Sequence, residues 1–160
     1  MIITFTLHIF AMIRSRMKNF STFTLFTFET NKFWAFKQMG LAPLKFHEIE
    51  GLLFSKLMGT GSGAGFSLFP DFSTYAFLGV WKSEEKAKYF FETSDIFLEY
   101  KKRSNKIRTL SLLPIHSHGR WSGESPFGSN LTMQETPKGE IAIITRATLR
   151  WNRLFSFWAS

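Results

Sequence analysis

An α+β fold is what this sequence predicts, and three stretches carry the prediction. Phe20 to Phe28 alternates Ser or Thr with large apolar side chains, the period of a β-strand. Phe54 to Trp81 sets two apolar segments around a glycine-rich loop, which reads as two antiparallel strands joined by a long folded connection. Ala87 to Leu98 repeats its apolar residues at helical spacing behind a Ser83-Glu84-Glu85 start, the mark of a capped amphipathic helix.

Composition sets the bounds. A chain of 160 residues with 44% hydrophobic content fits one globular domain with a real core. Twenty Phe, five Trp and three Tyr supply flat surfaces suited to packing or to a large apolar ligand. The formal charge of +8 points to anionic partners, either nucleic acid or an acidic membrane surface. RNA-module aromatic words are absent, so no nucleic-acid partner is expected. With no cysteine, disulfides, thiol catalysis and Cys-ligated zinc are excluded, and the composition fits a cytoplasmic protein.

Along the chain, Met1 to Arg16 is apolar up to Ile13 and then basic. A membrane span needs about 20 apolar residues, and a signal peptide carries its charge before the apolar run. Residues 1–18 are therefore expected to lie outside the fold as an upstream extension, with an interfacial anchor and peripheral membrane contact as the less favoured reading. After the Phe20–Phe28 strand, Asn31 is placed to cap a short helix carrying Phe33, Trp34, Phe36, Lys37 and Met39. Gly40 is expected to end that helix and Pro43 to close it off.

In the hairpin, Gly59, Gly61, Gly63 and Gly65 stand at alternate positions before a Pro70-Asp71 turn. The spacing is not G-x-G-x-x-G and no Gly-Lys-Ser/Thr follows, so a nucleotide cradle is disfavoured. A structural loop and the lining of a ligand pocket remain as the two readings. The Ser83-capped helix is expected to run to about Arg103, with Ala87, Phe90, Phe91, Ser94, Phe97 and Leu98 as one buried stripe. Lys101-Lys102-Arg103 then complements the negative end of its dipole. Ile107 to Ile115 reads as a fourth strand whose end Pro114 places at an edge.

Strand, helix, strand, strand, helix, strand is the ferredoxin-like βαββαβ order, an antiparallel sheet with both helices on one face. Its other face needs a cover, from a second copy in a dimeric α+β-barrel arrangement or from an internal repeat. Residues 19–127 make the unit. Residues 128–160 read as a linker and the start of a second, truncated repeat, since Glu140 to Leu149 looks like a new first strand and Phe155 and Trp158 echo Phe33 and Trp34.

Few residues offer chemistry. His116 and His118 follow the fourth strand, and alternation sets both imidazoles on one face, about 7 Å apart. Neutral imidazole is the commonest protein metal ligand, so His118 is the candidate for a metal or haem iron, against solvated histidines at a strand end. Arg120 beside Trp121 can stack, bind a carboxylate or propionate, or close the surface. Arg146 lies in an apolar segment, where an inward guanidinium needs an anionic partner such as a cofactor propionate. No hydrolase arrangement is present.

Together, WAFKQMG (Trp34 to Gly40), KLMGTGSGAGFSLFPD (Lys56 to Asp71), YAFLGVW (Tyr75 to Trp81), HGRWSGESPF (His118 to Phe127) and TRATLR with a following FW (Thr145 to Trp158) resemble the spheroidene monooxygenase family. These are acyclic carotenoid 2-ketolases, and the match spans about Asn19 to Ser160. The resemblance implies an α+β barrel of two ferredoxin-like halves. It also implies a haem-dependent oxygenase acting at C-2 of an acyclic carotenoid such as spheroidene, with O₂ and an external electron donor. Members of the family continue well beyond this length, so most of the second half is expected to be absent. The resemblance carries over no haem ligand; the residues' own chemistry gives His116, His118, Arg120 and Arg146 as the cofactor positions, and Gly61, Gly63 and Trp121 as those for the apolar substrate. The competing reading is a non-catalytic, dimerising ferredoxin-like module that binds a small ligand.

Overall fold

The structure is a computed structural model that describes residues 2–7, 20–61, 70–121, 123–128 and 140–145. Two compact units divide the chain, Leu7–Leu113 on the one hand and Met1–Thr6 with Pro114–Ser160 on the other.

In the first unit, β2 (Phe20–Thr27), α1 (Lys32–Phe46), β3 (Leu52–Gly61), β4 (Pro70–Trp81), α2 (Glu84–Thr93), α3 (Asp95–Arg103) and β5 (Lys106–Ser117) follow in order, the last four residues of β5 belonging to the second unit. The sheet order is β3-β4-β2-β5 and each pair is antiparallel. This is the expected ferredoxin-like arrangement. In register, Phe26 lies across from Tyr75 on one side and Ile107 on the other, and Thr24 lies between Phe77 and Thr109. The Thr24 and Thr109 hydroxyls are 3.0 Å apart and satisfy one another.

One sheet face meets all three helices. Phe26, Phe28, Leu57, Tyr75, Phe77 and Trp81 from the strands form a single core with Ala35, Ala42 and Phe46 of α1, Ala87 and Phe90 of α2, and Phe97 and Tyr100 of α3. On the opposite face, Ala76, Leu78, Val80 and Leu112 are buried while Leu110 is exposed.

Two helices differ from expectation. α1 runs through Gly40 and Pro43 to Phe46, although proline removes the N–H that would reach back one turn. Burial of Ala42 and Phe46 offsets that local cost, because tertiary packing outweighs helix propensity. Asn31 sits at the N-cap position but makes no side-chain cap. Its amide instead donates to the Arg103 carbonyl at 3.0 Å, tying the start of α1 to the end of α3. The second helix is two, broken at Ser94, whose backbone is extended. Serine and threonine here compete with the helix for backbone partners, and Thr93 Oγ1 donates to the Tyr89 carbonyl at 2.8 Å. The break shifts the helical phase, so that Tyr100 is buried and Leu98, expected in the stripe, is exposed.

Ser83 caps α2 as read from sequence, its hydroxyl accepting from the Lys86 N–H. Lys101, Lys102 and Arg103 occupy the last turn of α3. β5 extends past Pro114 to Ser117. Its ladder with β2 stops at Leu112, so the missing proline N–H takes no bond from that pairing.

In the second unit, Ile2–Leu7, within the segment read as an extension, forms β1, which neighbours β6 (Glu140–Thr145). The strand expected from Glu140 is therefore present over its first six residues. None of the described helices is long and apolar enough to cross a membrane.

Candidate functional site

The site begins with alternation. Every second residue of β2 and β4 points toward the helices, and the sequence places aromatic rings there, so the interior of the first unit is an aromatic chamber. Phe77 stands near its centre, with ring centroids 4.9 Å from Phe46 and 5.9 Å from Phe90. Phe26 lies 4.8 Å from Tyr100. Such offset and tilted pairs contribute beyond their buried area, about 0.5–1.5 kcal/mol each. Trp81 closes one end, its indole N–H donating to Thr22 Oγ1 at 2.9 Å. Gly79 gives that indole its room, since a Cβ there would stand 2.7 Å from Trp81 Nε1.

Phe26, Phe46, Leu57, Phe77, Phe90, Ile96, Phe97 and Tyr100 line a cavity in which the space open to the centre of a water molecule is about 10 Å³. That is room for roughly one water. The lining is otherwise hydrocarbon, and its chemistry selects apolar matter.

Two phenols supply the chamber's polarity. Tyr75 and Tyr100 are 3% and 4% exposed, and neither hydroxyl has a hydrogen-bond partner among the described residues. Burial pushes both phenols above the usual tyrosine range, with the Asp71 charge adding to the effect at Tyr75. Each stays a neutral O–H donor, able to hold a hydroxyl or carbonyl oxygen inside apolar walls. Asp71 itself is held below the usual carboxylate range, first by the Ser73 hydroxyl that donates to it. Beside the chamber, Arg103 stacks on Trp34, its guanidinium 4.9 Å from the ring centroid, and donates to Glu99 at 2.9 Å.

Among the described residues singled out from sequence, Gly61, His116, His118, Arg120 and Trp121 are not in the lining of this cavity. Gly61 is the exposed last residue of β3, across from Pro70; Gly63 and Arg146 lie outside the described residues. His116 and His118 are exposed on either side of buried Ser117, the shared face that alternation implied. Arg120 is exposed beyond them, whereas Trp121 is fully buried. Trp121 is held by a tight turn in which its N–H donates to the Glu124 carbonyl at 2.7 Å and Glu124 N–H returns the bond at 3.0 Å. Gly123, at φ +90°, makes that turn possible. The histidines, Arg120 and Trp121 belong to the second unit and the chamber to the first.

The described residues do not make a haem pocket. The chamber has space for a water rather than a macrocycle, and the two histidines stand on open surface. Among the described residues, no group of three His, Cys, Asp or Glu is arranged to hold a metal ion. Tyr75 and Tyr100 escaped the sequence reading because nothing local marks a tyrosine whose hydroxyl lacks a partner. Their strand and helix phase was the only available signal.

Comparison with known proteins agrees with the motif words. The chain is 32% identical over 142 residues to a spheroidene monooxygenase of Cereibacter sphaeroides, covering 86% of this chain and 43% of that protein. It is 24% identical over 126 residues to a spheroidene monooxygenase of Rhodobacter capsulatus, covering 79% and 52%. The chain thus spans about half the length of the curated relatives it matches. No family model matches it. Among solved structures, a dimeric ferredoxin-like protein from an uncultured marine organism is similar at a TM-score of 0.40 and 17% identity, covering 59% of this chain and 94% of that one.

Proposed function

We propose, from the premise that this chain is a relative of the spheroidene monooxygenases, that it contributes to a monooxygenase oxidising C-2 of an acyclic carotenoid to a ketone. The observation that carries the reading is the 32% identity running through 86% of the chain. In the proposed chemistry, each hydroxylation puts one atom of O₂ into a C–H bond and reduces the other to water, with two electrons and two protons from an external donor. A second hydroxylation at the same carbon gives a geminal diol, which loses water to leave the ketone.

Haem as the oxygen-activating group rests on the family resemblance alone, and His118 as its ligand position rests on the chemistry of a strand-end imidazole. The test supplies spheroidene and a reducing system to the purified chain, beside a full-length relative as positive control. The expected product carries one added oxygen and two fewer hydrogens. Unchanged carotenoid in the sample, with turnover in the control, overturns the activity. Haem titration of the same protein and of His118→Ala checks the ligand separately: a Soret band that persists unchanged in the variant removes His118 from the role.

A further inference from the structure

α1 is apolar on two sides, and only one of them is used by the core. Phe33 and Leu44 are 74% and 70% exposed, and Phe36 and Leu41 half exposed. Their spacing along the helix puts them, with Gly40, on one face. Phe72 at the start of β4 joins them, 51% exposed and 5.8 Å from Phe36 in an edge-on contact. Five large apolar side chains at one surface need an occupant.

Charge says which one. The helix, KFWAFKQMGLAPLKF, carries three lysines and no carboxylate. Lys32, Lys37 and Lys45 are all exposed, and Lys37 Nζ lies 5.7 Å from the Phe33 ring centroid, its stem alongside the apolar face. Asp71, beside Phe72, stays ionised under its Ser73 hydrogen bond and within the field of Lys32, so one carboxylate stands against the three lysines at this surface. An apolar stripe flanked by Lys32 and Lys45 and crossed by the long flexible stem of Lys37 is the pattern of a helix lying in a lipid interface, rings and leucines among acyl chains and ammonium groups reaching headgroups. A two-fold contact with a second copy would set the same three lysines against themselves. A nucleic acid would leave Leu41 and Leu44 without use, since aliphatic side chains offer no face for base stacking.

We infer that the outer face of α1, Phe33, Phe36, Leu41 and Leu44 with Phe72 of β4, docks the protein on an anionic lipid bilayer. The inference stands on this surface and does not need the oxygenase reading.

Sedimentation with vesicles tests it on the full chain. Binding is expected to phosphatidylcholine vesicles containing about one-third phosphatidylserine, and to weaken as salt screens the lysines. Phe33→Ser combined with Leu44→Ser should weaken it at least about tenfold, and Lys37→Glu about fivefold or more. Both changes are at exposed positions, so an unaltered melting temperature serves as the folding control. Absence of binding to anionic vesicles overturns the proposal, as does equal binding by the double variant. A dimer that the double variant dissolves, without vesicle binding, gives the face to a second copy instead. Oligonucleotide binding lost in the same variant, without vesicle binding, gives it to a nucleic acid.

Discussion

The two sides of α1 are both apolar, with large side chains on each, and they differ in burial. Ala35, Ala42 and Phe46 are buried against the sheet, with Trp34 and Met39 partly so, while Phe33, Phe36, Leu41 and Leu44 face out. Ala35 and Ala42 let the helix approach the strands closely, with Phe46 packed beside them. Large residues outward leave ungained the roughly 1.5–3 kcal/mol that burying each would contribute. The core therefore does not use the outer residues, and the proposed bilayer contact would bury them.

The largest test of that contrast is a pair of truncations. Phe46→Ala, losing a ring 4.9 Å from Phe77, should cost about 3–5 kcal/mol in urea unfolding, whereas Phe33→Ala should change stability by no more than about 0.5 kcal/mol. Equal losses would mean that the outer face is covered in solution. A smaller effect of opposite sign is expected across the chamber. Tyr100→Phe removes a buried hydroxyl that has no partner among the described residues, and should raise stability by roughly 1 kcal/mol. A loss instead would reveal a partner for the phenol. If the proposed oxygenase uses that O–H to hold its substrate, the same variant is more stable and binds carotenoid less tightly, a split that a purely structural tyrosine does not produce.

On the outer face, Gly40→Ala meets no atom within 4 Å of the new Cβ. It should stabilise by about 0.5–1 kcal/mol through helix propensity, read as a rise in denaturation midpoint with an unchanged slope. The smallest effect concerns Asp71, beside Phe72. The Ser73 hydrogen bond holds its carboxyl below the ordinary range, so its contribution to stability is present above the unfolded pKa and is lost as pH falls through the lower, folded one. Ser73→Ala should move the Asp71 titration upward in an NMR pH series and shrink that contribution. An unmoved titration would assign the depression to another group.

Much of the architecture could be read in advance because its signals are local. The alternation of Phe20–Phe28, the two apolar segments around the glycines and the Ser83 cap each depend on a few neighbouring residues, and each element is where those residues predict it. Gly40 and Pro43 misled because a helix end is decided by competition between local propensity and packing, and the sheet under Ala42 and Phe46 is far away in sequence. Ser94 misled in the other direction. Its periodic neighbours allow one helix, and only the fit of Phe90, Phe97 and Tyr100 to a common core selects two. The motif words identified the relatives, but the described lining of the cavity includes neither Gly61 nor the histidines. Resemblance reports ancestry at a position, not what that position touches.

What the sequence determined by itself was the order of strands and helices from β2 to β5 apart from the break at Ser94, the N-cap of α2 and most of the apolar faces, since periodicity assigns each side chain a side. Only the tertiary structure decided which of two apolar faces of α1 is core and which is surface, and that two phenols share an interior of phenylalanines. The reason is physical: a period says which residues point together, whereas burial depends on what the rest of the chain brings to meet them.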